Sequence, residues 1–190
     1  MSKNHEIIIE TERLLIREIV ASDLDVMLEM HSDPEVHRYL GNNTITSPEK
    51  MKEAMDELTC QYREYGLGRW AMIEKGSGDF IGWTGLEYVT HEINQHKDFY
   101  DLGYRLLKRY WGQGYATESA VASVDYAFEV LQASEIYAMA DIENEGSNKI
   151  LKKVGLHFVE TFDLEGVEHN WYRLERLQYL KQKSPNLAKD

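Results

Sequence analysis

One cysteine, Cys60, and three prolines in 190 residues leave this chain with little covalent or conformational bracing. A lone cysteine excludes an internal disulfide and any zinc cage built on cysteines. The seven histidines are scattered, with no H-E-x-x-H or similar ligand spacing, so nothing points to a metal. No apolar run approaches the roughly 18 residues of a membrane span, and residues 1–10 lack the charged and apolar regions of a signal peptide. These absences predict a metal-free cytoplasmic protein with no membrane partner. Basic residues are also short, 21 Lys and Arg against 33 Asp and Glu, for a formal net charge of −12. Binding to nucleic acid rests on neutralising phosphates with Lys and Arg, so that balance argues against a nucleic-acid partner.

What is present is ordinary for a globular domain: 43% hydrophobic and 28% charged residues, in a chain long enough to bury one core. Residues 6–19 alternate and carry Ile and Leu, which predicts one long first strand. Ser22-Asp23, Asp33-Pro34 and Ser47-Pro48 each read as a helix start, the third helix running to Gly66 with Met51, Met55, Leu58 and Tyr62 on one face. Residues 70–74 and 80–89 read as a hairpin, and 99–107 as a further strand. A helix from Thr117 to Leu131, a strand at 136–140, a short helix at 147–154 and a final hairpin at 158–163 and 169–174 complete the order. The expectation is a folded domain over 1–176 and a polar C-terminal tail over 177–190.

The most informative stretch is Arg109-Tyr110-Trp111-Gly112-Gln113-Gly114-Tyr115-Ala116, between a strand and a helix. Two glycines one residue apart let the backbone turn tightly and put no Cβ between its amides and a ligand. Free N–H groups at the helix start, with the helix dipole, favour an anion there. No Lys-Ser/Thr pair follows, which excludes a Walker A loop. Thr117 stands where a dinucleotide fingerprint needs its third glycine. From Leu102 to Thr117 there is no acidic residue, while Arg105, Lys108 and Arg109 are basic, so a cationic island is expected to flank this loop.

Arg109, Gly112 and Gly114 fit Q/R-x-x-G-x-G/A, which resembles the acyl-CoA pyrophosphate loop of the GNAT N-acetyltransferases. Thr11 to Arg17, Asp101 to Tyr104, and Asn144 to Ser147 with Leu151, Lys153 and Gly155 resemble further motifs of the branch that acetylates ribosomal-protein N-termini, in that branch's order. The resemblance covers residues 10–175. It implies a single-domain mixed α/β fold: a central, mostly antiparallel sheet, splayed at the CoA site, with helices on both faces. It also implies acetyl-CoA as acyl donor, an amine acceptor (a peptide N-terminus or a small amine), and a monomer or homodimer.

By the same resemblance, backbone groups around Leu106 and Leu107 meet the pantetheine arm, and Arg109 to Ala116 (Tyr110, Trp111, Gly112, Gln113, Gly114 and Tyr115 between them) hold the pyrophosphate. Asn144 binds a pantetheine amide or, as its place before a helix also allows, is a helix cap. Ser147 stands near the CoA sulfur. Asp101 occupies the position of the general base, with Glu87 on the neighbouring strand as its rival and His91 and His96 in the loop between them. An α-amine, with a pKa of about 7.7–8.0, needs little help from a base, whereas a lysine at about 10.4 needs a real one. Leu156-His157 stands after Gly155 where the family has an aromatic, so Phe158 is expected to take over that packing. Two other readings compete with acetyl transfer to a peptide: a non-catalytic acyl-CoA-binding module and a small-molecule acetyltransferase acting on polyamines or antibiotics.

Overall fold

The computed structural model of the protein describes residues 6–184. The expected long first strand is a hairpin, β1 (Ile7–Glu10) and β2 (Leu14–Arg17), paired antiparallel. Thr11 breaks it: its N–H donates to the Leu14 carbonyl at 2.9 Å, and its hydroxyl accepts from the Leu14 N–H at 3.0 Å. A threonine side chain that bonds nearby backbone competes with the ladder, and alternation alone does not reveal this.

Three helices follow: α1 (Leu24–Ser32), α2 (Pro34–His37) and α3 (Pro48–Tyr65). Asp33 and Ser47 cap α2 and α3 with their side chains, each ahead of a proline at the first helical position, and Gly66 ends α3 at φ +69°. Then come β3 (Arg69–Glu74), β4 (Phe80–Val89), β5 (Phe99–Leu106), α4 (Tyr115–Glu129), β6 (Glu135–Asp141), α5 (Glu145–Lys153), β7 (His157–Leu164), β8 (Val167–Glu175) and α6 (Arg176–Lys183).

The strands form an 8-stranded sheet in the order β1-β2-β3-β4-β5-β6-β8-β7. Every neighbouring pair is antiparallel except β5 and β6. Helices cover both faces. On one, Met27, Met30, Val36, Met51 and Met55 of α1–α3 pack on Ala71 and Trp83. On the other, Ala120, Val124, Ala127 and Phe128 of α4 pack on Trp70, Met72, Leu86 and Leu102. This sorting follows from the strand period of two, which sends successive side chains to opposite faces.

Two expectations are corrected at the C-terminal end. The stretch expected as a polar tail begins with α6, whose Tyr179 is buried and stacks on Phe128 at 4.6 Å between ring centroids; residues 185–190 lie outside the described ones. Leu156, not Phe158, fills the core after Gly155: Leu156 is 2% exposed and Phe158 is 52% exposed. The aliphatic side chain occupies the inward position, and the aromatic is turned to the surface of the edge strand.

Candidate active site

The sheet opens between β5 and β6. β4 and β5 pair from Gly82↔Leu106 to Val89↔Phe99, whereas β5 and β6 share the single register pair Asp101↔Tyr137. Beyond Asp101 the two parallel strands separate. The Leu107 N–H donates to the Ile81 carbonyl at 3.0 Å, so residues 101, 103 and 105 turn their backbone groups toward β4 by strand alternation. Leu102, Tyr104 and Leu106 therefore turn theirs toward the gap. Leu107 is thus committed to β4 rather than to the gap, and the Leu106 carbonyl accepts the Trp111 indole N–H at 2.9 Å. Strand phase, which is set by pairing, gives these two leucines different backbone partners.

The glycine loop closes the gap at the end of β5. Gly112 and Gly114 sit at φ +73° and +85°, a left-handed backbone that side chains disfavour, and a Cβ on Gly112 would meet no atom within 4 Å. Gly114 directly precedes α4, which starts at Tyr115, two residues earlier than expected. Among the described residues, no group accepts from the N–H groups of Gly112 through Thr117, which face out from a helix start. That is the donor set an oxyanion of phosphate needs.

The loop's cation is not the expected one. Arg109 pairs with Glu29 of α1, Lys108 lies 3.7 Å from Glu35, and Arg105 lies beside His31, so all three basic residues turn toward α1 and α2. Arg13 takes their place, donating to the Gln113 carbonyl at 2.9 Å and lying over the Tyr115 ring at 4.3 Å. Glu118, in the first turn of α4, is held by the Thr11 hydroxyl at 2.6 Å and by the Arg13 N–H and guanidinium. The turn that broke the first strand thereby braces the loop.

On the α4 side of the gap, Asn144 accepts from the Ser147 N–H at 3.1 Å and caps α5, leaving its amide N–H groups uncommitted in the described residues. The Ser147 hydroxyl lies 3.1 Å from the Tyr104 hydroxyl of β5, so α5 reaches across to the strand that borders the gap. Burial pushes the Tyr104 hydroxyl well above its ordinary pKa, which keeps it protonated. Asn148 fixes this corner. Its amide donates to the Asp141 and Asn144 carbonyls at 2.8 Å, and its oxygen accepts from Asn170 and Tyr172.

On the other face, at the last paired residue before the gap, Asp101 is buried and bonded to the Arg69 guanidinium through one oxygen, while Oδ1 has no partner among the described residues. Burial raises its carboxyl to about 6, and the charge of Arg69 opposes that rise. Glu87 stands opposite Asp101 in the register, 3.5 Å from the same guanidinium and half-exposed. His96 packs on Tyr137 and Trp171 with its Nδ1 on the Asn94 carbonyl, and His91 is exposed.

Residues 13–157 match the family described as acetyltransferase (GNAT) domain. The chain belongs to the GNAT acetyltransferases. This enzyme is 31% identical to the uncharacterized N-acetyltransferase YoaA of Bacillus subtilis, over 84% of its own length and 85% of that protein's. Its fold matches spermidine N-acetyltransferase from Vibrio cholerae in complex with CoA and spermine, with a TM-score of 0.72 at 16% identity, covering 90% and 99% of the two chains. It also matches ribosomal-protein-S5-alanine acetyltransferase from Vibrio fischeri, with a TM-score of 0.68 at 17% identity over 88% and 96%. Those two likenesses are of fold. GNAT enzymes take the acetyl group from acetyl-CoA, and the free loop donors of this acetyltransferase fit that anionic donor. Arg69 lies outside every motif, and Arg13 and Tyr104 lie inside two of them without having been singled out as site candidates. Gly103 offered an indirect signal for Arg69, since a glycine inside a strand marks a close approach.

Proposed function

We propose that this acetyltransferase moves the acetyl group of acetyl-CoA to a primary amine by direct attack, with Asp101 receiving the amine's proton. The observation that carries this is the placement of Asp101: buried, with one free oxygen, at the point where β5 and β6 part. A carboxyl near 6 is ionised at neutral pH yet basic enough to take a proton as the amine forms its bond to carbon. Glu87, half-exposed on the same guanidinium, passes that proton to solvent. Arg69 holds both carboxylates and orients them.

The backbone N–H groups of Tyr104 and Leu106 face the gap and supply the contact for the developing oxyanion. The departing sulfur takes a hydrogen bond from Ser147, whose hydroxyl is oriented by Tyr104. A thiol with a pKa of about 8.5 leaves as thiolate without full protonation, so one donor suffices. The amide of Asn144 meets the pantetheine arm, and the loop from Gly112 to Ala116 takes the pyrophosphate.

The acceptor is a peptide α-amine or another small amine. The test is thiol release from acetyl-CoA with N-terminally free peptides, the same peptides blocked at the N-terminus but carrying lysine, and spermidine. Acetylation of the free peptides is expected. Acetylation of the blocked peptides alone refutes the α-amine preference.

A further inference from the structure

We infer that the acceptor carries a carboxylate, which Arg105 receives beside His31 and Trp83 while the amine lies at Asp101. This rests on the acetyl-transfer reading above and names its substrate class. Arg105 and Asp101 are on the same face of β5, four residues apart, which separates their Cα atoms by about 13 Å at about 3.3 Å per residue. Between them Gly103 and Gly85 face each other without side chains, and the Arg69 guanidinium lies over Gly103. The face is thus a strip with a carboxylate pair at one end and an arginine at the other.

The arginine end lacks its counter-ion. Arg105 has no acidic partner among the described residues; its guanidinium lies 5.0 Å from the Trp83 ring centroid and 3.2 Å from the His31 Nδ1. Burial and the charge of Arg69 lower it to about 10, so it remains a cation at neutral pH. Burying a charge without a partner is costly, and a site that retains one is suited to an incoming anion. His31 is held neutral by burial and by Arg105, at about 3, and offers no competing charge. His37, whose ring lies 5.3 Å from that of His31, is 4% exposed, and among the described residues neither ring nitrogen has a partner. The Trp83 indole N–H is likewise unpartnered among the described residues.

The nearby acids are already engaged. Glu29 pairs with Arg109, Glu35 with Lys108, and Asp33 caps α2. In a chain of net charge −12, this end is left cationic. A single uncompensated positive charge matches a carboxylate; a phosphate dianion needs a second cation, and Arg69 is committed to Asp101. A polyamine meets the wrong sign here.

Alanine peptides of one to four residues, each as the free acid and as the C-terminal amide, test this by calorimetry on the CoA-loaded protein. At one length the acid is expected to bind at least tenfold tighter than its amide. Arg105→Gln should erase that difference by weakening the acid alone, and Arg105→Lys, which keeps the charge without the planar fork, should retain part of it. The melting temperature of Arg105→Gln should hold or rise, because an uncompensated charge has been removed; a merely structural arginine would lower it. Equal binding of acid and amide at every length, binding of neither, or equal weakening of both by Arg105→Gln overturns the carboxylate subsite. Thiol release from the amides or spermidine, with no preference for acids, overturns the subsite alone. Absence of thiol release with every amine overturns acetyl transfer and the acceptor subsite with it.

Discussion

The Arg69 guanidinium lies against Gly103: a Cβ at that glycine would come within 2.7 Å of the Arg69 Cζ. The same guanidinium donates to the Gly85 carbonyl at 2.7 Å and the Asp101 carbonyl at 2.8 Å, besides the Asp101 carboxylate. A missing side chain on β5 therefore makes room for the cation that keeps a buried acid ionisable. Arg69→Leu should strand Asp101 as an uncompensated buried carboxylate, at a cost of about 3–5 kcal/mol above its pKa. It should also move the acid limb of kcat upward from about 6. A urea melt and a pH–rate profile at saturating acceptor check both. An unmoved limb removes Arg69 from the positioning of Asp101.

Gly114→Val should weaken CoA binding at least tenfold, about 1.4 kcal/mol. The backbone there is left-handed at φ +85°, and a Cβ would sit 3.4 Å from Nη2 of Arg13, whose Nη1 donates to the loop at Gln113. Titration of CoA into the folded variant is the measurement. Unchanged affinity would sink the phosphate-loop assignment.

Ser147→Ala should lower kcat with little change in CoA affinity, because its contact matters as charge builds on sulfur. Tyr104→Phe should show a smaller loss of the same kind, since it orients the serine hydroxyl from 3.1 Å. If CoA affinity and kcat fall together, the pair instead contacts the cofactor in the ground state.

Two buried groups give opposite pH signatures to stability. His31 has a folded pKa of about 3 against 6.5. The unfolded chain binds its proton first, so stability is lost as pH falls below 6.5 toward 3. Asp101, raised to about 6, does the reverse: the folded state binds the proton first, and stability falls as pH rises from 3.8 toward 6. Relative to the wild type, His31→Gln should gain up to about 1.4 kcal/mol for each pH unit below 6.5. Asp101→Asn should gain as pH climbs from 4 to 6. Denaturant melts at pH 6.5, 5.5 and 4.5 read both slopes; parallel curves for the His31 variant and the wild type would show that the ring is not held neutral.

The glycine loop was legible because its cause is local. Two left-handed positions one residue apart demand glycine wherever the chain goes next, and the following helix start exposes its donors in any setting. The helix starts at Asp33-Pro34 and Ser47-Pro48 were legible for the same reason. The turn at Thr11 was not, since a threonine within an alternating run reads as strand until its hydroxyl finds the Leu14 N–H. The basic residues before the loop misled in another way. Their nearness in sequence suggested one cationic patch, but α1 and α2 drew all three toward their own acids and histidines.

By itself the sequence determined the order of elements from α1 to β8, the glycine turn into a helix start and the acetyltransferase family, because periodicity, glycine placement and motif order are properties of neighbouring residues. Only the tertiary structure decided which charges meet. Arg69 of β3 reaches Glu87 of β4 and Asp101 of β5, Arg13 reaches Gln113, and His31 of α1 meets Arg105 of β5. Each of these depends on strand register, on which face a side chain takes, and on how a helix lies across the sheet. Those quantities are set by packing between segments far apart in the chain, where no local pattern records them.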